Sequence, residues 1–428
     1  MGGTATVTLS VDEMFAELDR LRSRAGSVSG DLALEIYRRT AFVRRVSRDA
    51  GVPLSAISLG REDGHAVRTW NPGPRRVGFA ASSGGGAEAV LWSVERAIAG
   101  AGAWSGGNPW FPDGGTRADD RDGPLVLPTT EQMTGWLDEA WERLEQLGSR
   151  ASVPFIPDRA RLEVSNTVEL WLADQDIRGV RTRSRAWAVV QPRGGRRGAR
   201  APATVAARRW KDLRSDAWCE VAGDRVWPGE GHVTAGTVRT SVVFSPEAAA
   251  TLVGALVRVV HTAEQLLGRP VGPGWRLTEN PQEIGALFGA EFDDCLFPTR
   301  PRLLADGREI VARTGGPGSY RRASFRDPPR ALASHVVVES PACDLPDSCL
   351  LASTVLVHAL GPAEWILQFR GGILAGGEPA DRIETGFLRT DPETLVRSCL
   401  GSVGSSRQSH LGIRTPALIF EDLEAKID

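Results

Sequence analysis

Of the six histidines, one stands beside another polar group at a spacing that suits shared chemistry. His261 and Glu264 are three residues apart in a stretch of helical character, so one helix face can carry both. A metal there would need a third donor and an open coordination position. A helical His/Glu pair is more often a surface hydrogen bond or ion pair. His358 lies in the apolar run STVLVHAL and reads as a satisfied sheet histidine. His65, His232, His335 and His410 fall in unrelated segments without ligand spacing. Among nucleophiles, Cys295 follows Asp293 and Asp294, whose carboxylates would raise its pKa and weaken it, so a buried or loop thiol is expected. No GxSxG elbow is present, so a Ser/His/Asp triad would have to be assembled by the fold alone.

Two segments could meet anions. SSGGGAEA (Ser82 to Ala89) precedes a helix and could cradle a phosphate, yet it lacks the GxxxxGK[ST] and GxGxxG patterns. It reads as a flexible helix entry. Arg193, Arg196, Arg197, Arg200, Arg208 and Arg209 cluster between Pro192 and Trp210 with no aromatic interleaving apart from Trp210. A solvated loop is the reading, and nucleic acid is not expected as a partner. The net charge of -2 adds no general attraction to nucleic acid or anionic membrane.

The elements that would position such groups are marked by caps and periodicity. Ser10 and Glu13 have capping-box spacing before Val11, Met14, Phe15, Leu18 and Leu21. Leu32, Leu34 and Ile36 alternate as on a half-buried strand. Arg61 to Ser83 reads as two strands around the turn Asn71–Pro72–Gly73–Pro74, followed by a helix from Ala87 to Gly100. Thr129 and Gln132 cap a helix whose apolar face includes Met133, Trp136, Leu137, Trp141 and Leu144. Trp136 and Trp141 read as core or interface residues. Val168, Leu170, Leu172 and Ala186, Ala188, Val190 alternate on two strands of one sheet. A short strand leads to a long helix capped by Ser245 with Pro246 at its first position, and Asp391 with Pro392 opens a later, shorter helix. Asp306–Gly307 signals a hairpin between RPRLLA and REIVAR.

Without a strict βαβ rhythm, the class expected is α+β. It comprises an N-terminal mixed region of antiparallel strands and helices, and a C-terminal β-rich domain with one long helix. At 428 residues, more than one domain is expected. The divisions are 1–105, a Gly/Pro/Asp-rich linker 106–128, a central α/β segment 129–235 and a C-terminal domain 236–428. No apolar run approaches the roughly 20 residues that cross a bilayer, and no signal peptide is seen. Five scattered cysteines without a CxxC pair suit free thiols in a reduced cytoplasm. Arginine almost replaces lysine, which occurs only as Lys211 and Lys426, as in GC-rich genomes such as those of actinomycetes.

Five segments, in order, resemble the TldD/PmbA family. They are REDGHAVRTW with RRVGFAASS, LEVSNTVELWLADQDIRGVRTRSRAWAVVQ, SVVFSPEAAATLVGALV, FDDCLFPTRPRLLADGREI and TPALIFEDLEAKI. In the TldD kind of subunit, HExxxH on the helix after the "vvl.p" strand brings two imidazoles and a glutamate to a zinc ion. Here Gly254, Ala255 and Val259 stand at those His, Glu and His positions. The resemblance is therefore to the PmbA (TldE) subunit, with no metal or cofactor in this chain and zinc in a TldD-like partner. It implies a heterodimeric metallopeptidase whose chamber takes unfolded peptide by strand addition. A modified peptide or amide from natural-product biosynthesis is a variant substrate. The NT match places Ser165, Asn166 and Thr167 in the peptide channel. The alternative is a stand-alone binding or regulatory protein, to which the family's modulator-of-gyrase label belongs. A third reading is an enzyme with a new site at His261/Glu264 or Cys295.

Overall fold

The computed structural model describes residues 11–29, 32–71, 75–84, 86–103, 117–121, 126–150, 154–174, 177–194, 202–223, 235–262, 266–272, 274–312, 317–322, 324–361, 364–409 and 411–428. The class is α+β, as the interleaved patterns imply: two largely antiparallel sheets carry most of the chain, with helices packed against them. Ser10, Pro72 to Pro74, His232, Glu264, His410 and Arg196, Arg197 and Arg200 lie outside the described residues, as does the His261 side chain.

The first sheet begins with helix α1 (Val11–Ser29) and the long strands β1 (Ala33–Asp49), β2 (Val52–Asn71) and β3 (Arg76–Ser83). Helix α2 (Ala87–Ala99), β4 (Gly102–Ala103), β5 (Arg117–Arg121) and α3 (Thr130–Arg150) follow. Strands β6 (Phe155–Ala173), β7 (Ile177–Gly194), β8 (Ala203–Ala207) and helix α4 (Ser215–Gly223) complete it. The order is β4-β3-β2-β1-β6-β7-β5, with β8 on β7. Two expectations need correction. The stretch 106–128, read as a linker, contributes β5, which runs parallel to β7 because Asp120 is drawn to Arg183. The Arg-rich stretch after Pro192, read as a loop, contributes β8, whose apolar Ala203 is buried beside Ala188 and Val190.

Alternation decides what each sheet face meets. Even-numbered residues of β6 and β7 (Leu162, Val164, Leu170, Leu172, Ala186, Ala188) are buried beneath α1, α2 and α3. Helix α1 contributes Met14, Leu18, Leu21 and Ala25, one turn apart along one stripe. Helix α3 starts at a reciprocal capping box in which Gln132 N–H donates to Thr129 Oγ1 and Thr129 N–H to Gln132 Oε1. Trp136 stacks on Trp218, with ring centroids 5.3 Å apart, and donates its Nε1–H to the Leu213 carbonyl. Odd-numbered residues point to the opposite face, away from these helices.

The second sheet uses β9 (Gly236–Phe244), helix α5 (Pro246–Thr262), β10 (Arg276–Glu279), β11 (Arg302–Asp306) and, after the separate two-stranded pair β12 (Tyr320–Arg321) and β13 (Arg330–Ala331), β14 (Val336–Glu339). It continues through β15 (Ser348–Gly361), β16 (Glu364–Ala375), β17 (Glu378–Thr390), helix α6 (Pro392–Ser398), β18 (Cys399–Gln408) and β19 (Ile413–Ile427). Its order is β11-β10-β14-β19-β17-β16-β15-β9. Strand β9 pairs with β15 on one side and β19 on the other, so this order closes on itself. Buried Leu252, Val253 and Leu256 of α5 share one core with Phe420 and Trp365. The hairpin expected at Asp306–Gly307 is only partly made. Gly307 takes the left-handed turn at φ 90°, but Ile310 then bonds Gly268 and Arg269 of a neighbouring loop, and the ladder partner of β11 is β10.

Candidate functional site

The expected positions fall in two places. Gly254, Ala255 and Val259 lie on α5. Ala255 is buried, Val259 packs on the core, and a Cβ at Gly254 would come within 3.2 Å of Ile413 Cδ1. None of the three carries a donor atom, and among the described residues no group of three His, Cys, Asp or Glu could hold a metal ion. The residues present therefore do not fit a zinc site of the HExxxH kind.

Ser165, Asn166 and Thr167 lie on β6 between β1 and β7, and alternation splits them. Asn166 is buried on the helix face; with its amide oriented to suit its neighbours, it accepts from Leu127 N–H and donates to Ser184 Oγ. Thr167 lies on the odd face and lines a cavity of about 270 Å³.

That cavity lies between the odd face of the first sheet and residues 288–290, Asp294, Arg321, Arg322, Ser324 and 332–334. Its floor is a cross-strand ladder: Arg39 on β1 opposes Glu169 on β6, which opposes Arg181 on β7, while Thr167 opposes Arg183 and Ser165 opposes Arg185. Arg321 and Arg322 enter from the other wall. Three of these six arginines are neutralised. Arg181 donates from Nε to Glu169 at 2.6 Å and from Nη2 to Asp294 at 2.5 Å. Arg183 pairs with Asp120, and Arg322 donates to Glu35 Oε1 at 3.0 Å. Among the described residues, Arg39, Arg185 and Arg321 have no carboxylate partner. Arg185 instead lies over the Phe288 ring, 4.5 Å from its centroid. Burial, with the neighbouring Arg181, Arg39 and Arg183, pushes Arg185 down to about 10 against the pull of Glu169. Glu169 is held at about 2: its burial is outweighed by Arg181 and Arg39 and by the Tyr37 hydroxyl, which donates at 2.7 Å.

The sequence carried a sign of this ladder that composition and motif reading passed over. Arg181, Arg183 and Arg185 recur at every second residue within VRTRSRAWAV, the period of a strand face, immediately before the apolar alternation Ala186, Ala188, Val190 on the opposite face.

The remaining candidates are structural. Cys295 is buried, and burial pushes its thiol up to about 12; Arg68, 3.6 Å away, pulls against this and Asp293 adds to it. The carboxylates at 293 and 294 serve the chain instead. Asp293 accepts backbone N–H groups from Cys295, Phe297, Gly318 and Tyr320. His65 is buried, its ring nitrogens meeting the carbonyls of Gly84 and Ala89. His335 Nε2 lies 2.9 Å from Glu283. His358 stands in the sheet as expected, on β15 opposite Ile366 of β16, but it is exposed together with Leu356 and Leu360. No described helix is long and apolar enough to cross a membrane.

No protein-family profile matches the chain. No curated protein sequence matches it. Several solved structures share its fold, among them three that match nearly its whole length. TldE from Thermococcus kodakarensis superposes with a TM-score of 0.78 at 15% identity, covering 96% of this chain and 100% of that one. A proposed modulator of DNA gyrase from Bacteroides thetaiotaomicron gives 0.72 at 14% identity, covering 98% and 100%. A proposed modulator of a DNA gyrase from Thermotoga maritima gives 0.71 at 12% identity, covering 95% and 100%. The fold is thus that of the TldE and modulator-of-gyrase structures over nearly the whole length of each chain.

Proposed function

We propose that this chain belongs to the TldD/PmbA family and is the non-catalytic, TldE-type subunit of a two-subunit metallopeptidase. The observation that carries the reading is a contrast. The fold matches TldE along 96% of the chain, while α5 presents Gly254, Ala255 and Val259 where a TldD-type helix has its ligands and glutamate. A TldD-like partner supplies the zinc, the two histidines and the glutamate. This chain closes the other side of the chamber, and unfolded peptide, or a modified peptide or amide intermediate, is hydrolysed on the partner's metal. Its five free cysteines suit a reduced, cytoplasmic setting.

Co-expression with the HExxxH-bearing protein of the same genome tests this, followed by size-exclusion chromatography, zinc analysis and a peptide-cleavage assay. A heterodimer that cleaves, and stops cleaving when the partner's HExxxH glutamate becomes glutamine, is the expected result. A chain that stays alone in the mixture and leaves the partner's activity unchanged would favour a stand-alone binding or regulatory protein instead.

A further inference from the structure

Around the cavity on the odd face of the first sheet lies a set of unused donors. Arg39 Nε, Arg185 Nε, Arg321 Nε and Nη2, Arg322 Nε and Ser334 Oγ are all buried without a hydrogen-bond partner, and all six atoms belong to residues that line this one space. Their number matters because a buried N–H or O–H left unpaired costs about 1–3 kcal/mol, and more when the group is charged. A fold that needed only packing here would gain by replacing unpaired guanidinium groups with apolar side chains of like volume. The unmet atoms are all donors on groups that are cationic or neutral. A complementary ligand must therefore bring acceptor atoms and negative charge. Guanidinium forks from three directions match an oxyanion with several oxygens better than a single halide ion. The volume, about 270 Å³, is several times the roughly 30 Å³ share of one water molecule, so a small molecule or a chain end fits.

We propose that the cavity between β1, β6 and β7 and the segments around Phe288 and Arg321 is a binding site for a small multivalent oxyanion, a phosphate or dicarboxylate group, held by Arg39, Arg185, Arg321 and the Ser334 hydroxyl. Arg181, Arg183 and Arg322 are positioning residues: their carboxylates lock them in place and leave the ladder's remaining charge to the ligand. Phe288 stacks under Arg185 and orients its fork. The site does not depend on the subunit reading and is present in the single chain.

The test uses the full purified chain. Inorganic phosphate, succinate and sodium chloride are titrated at matched ionic strength, with binding followed by calorimetry and thermal unfolding. Saturable heat and a rise in Tm with phosphate or succinate beyond that of chloride is the expected result. Which of the two binds tighter distinguishes a tetrahedral phosphate from a pair of carboxylates as the natural group. Arg185→Gln should weaken binding about tenfold or more. It should leave Tm without ligand little changed, since Arg185 loses its stacking on Phe288 but no carboxylate. Arg39→Gln provides a second variant with the same expected loss of binding and a lower Tm in buffer, since Arg39 helps to hold the Glu169 carboxylate. No saturable binding of either anion, or variants that lose several degrees of Tm in buffer while binding as well as the wild type, would overturn the proposal.

Discussion

Arg181 on β7 reaches Asp294 across the two halves of the molecule, Nη2 to Oδ1 at 2.5 Å, with both side chains almost fully buried. The same guanidinium donates to Glu169 on the neighbouring strand β6. One side chain thus ties the register of the first sheet to the segment that carries Asp293, Asp294 and Cys295. Asp294 also accepts from Arg322 N–H at 2.5 Å, so the joint is a network rather than a pair.

Breaking that joint from one side leaves a buried charge without its partner. Asp294→Ala is expected to lower stability by about 3–5 kcal/mol. Urea unfolding followed by tryptophan fluorescence reads this out. A loss below about 1 kcal/mol would mean that water reaches Arg181.

Glu169 makes stability depend on pH. Its carboxyl is held at about 2 against an ordinary value of 4.5, so its contribution is fully present above about 4.5 and disappears as pH falls toward 2. The shift corresponds to about 3 kcal/mol. Glu169→Gln should therefore be much less stable than the wild type at pH 7, and the gap should narrow between pH 4.5 and 2. Denaturant midpoints at pH 7, 4 and 2.5 check the sign; a gap that stays constant would contradict it.

Helix α2 sits against β3 with no room for a methyl group. A Cβ at Gly78 would lie 1.8 Å from the Ala97 carbonyl oxygen, a backbone atom that cannot rotate away. Gly78→Ala should cost about 1–3 kcal/mol or more. Gly135→Ala, where a Cβ meets nothing within 4 Å on an exposed helix position, should stabilise by up to about 1 kcal/mol. Thermal unfolding of the two variants side by side separates steric cost from general intolerance of substitution.

Cys295, with its thiol pushed up to about 12 and its side chain buried, should resist alkylation in the native state. Cys343, half-buried near the surface, should react first although burial raises its pKa as well. Timed iodoacetamide labelling at pH 8 with peptide mass spectrometry gives the order. Rapid native labelling of Cys295 would reopen a nucleophilic role for it.

Much of the local structure was written in the sequence because its causes act within one turn. Asp391 caps α6 by accepting Thr394 N–H at 2.8 Å, Ser245 opens α5 with Pro246 behind it, and Thr129 and Gln132 close their box, all as spacing implied. Strand period showed which residues share a face, and hence the α+β class. Period cannot say what that face meets. Only the tertiary structure paired Arg39 with Glu169, laid Phe288 under Arg185, brought Arg321 in from the far wall, and drew 117–121 into the sheet beside β7. Those contacts join residues that lie far apart in the chain, and no short-range preference records them. The odd face of β7 was legible as a row of arginines. That Arg181 and Arg183 are neutralised and Arg185 is not was decided by which carboxylates the fold delivered, and that is a property of long-range packing alone.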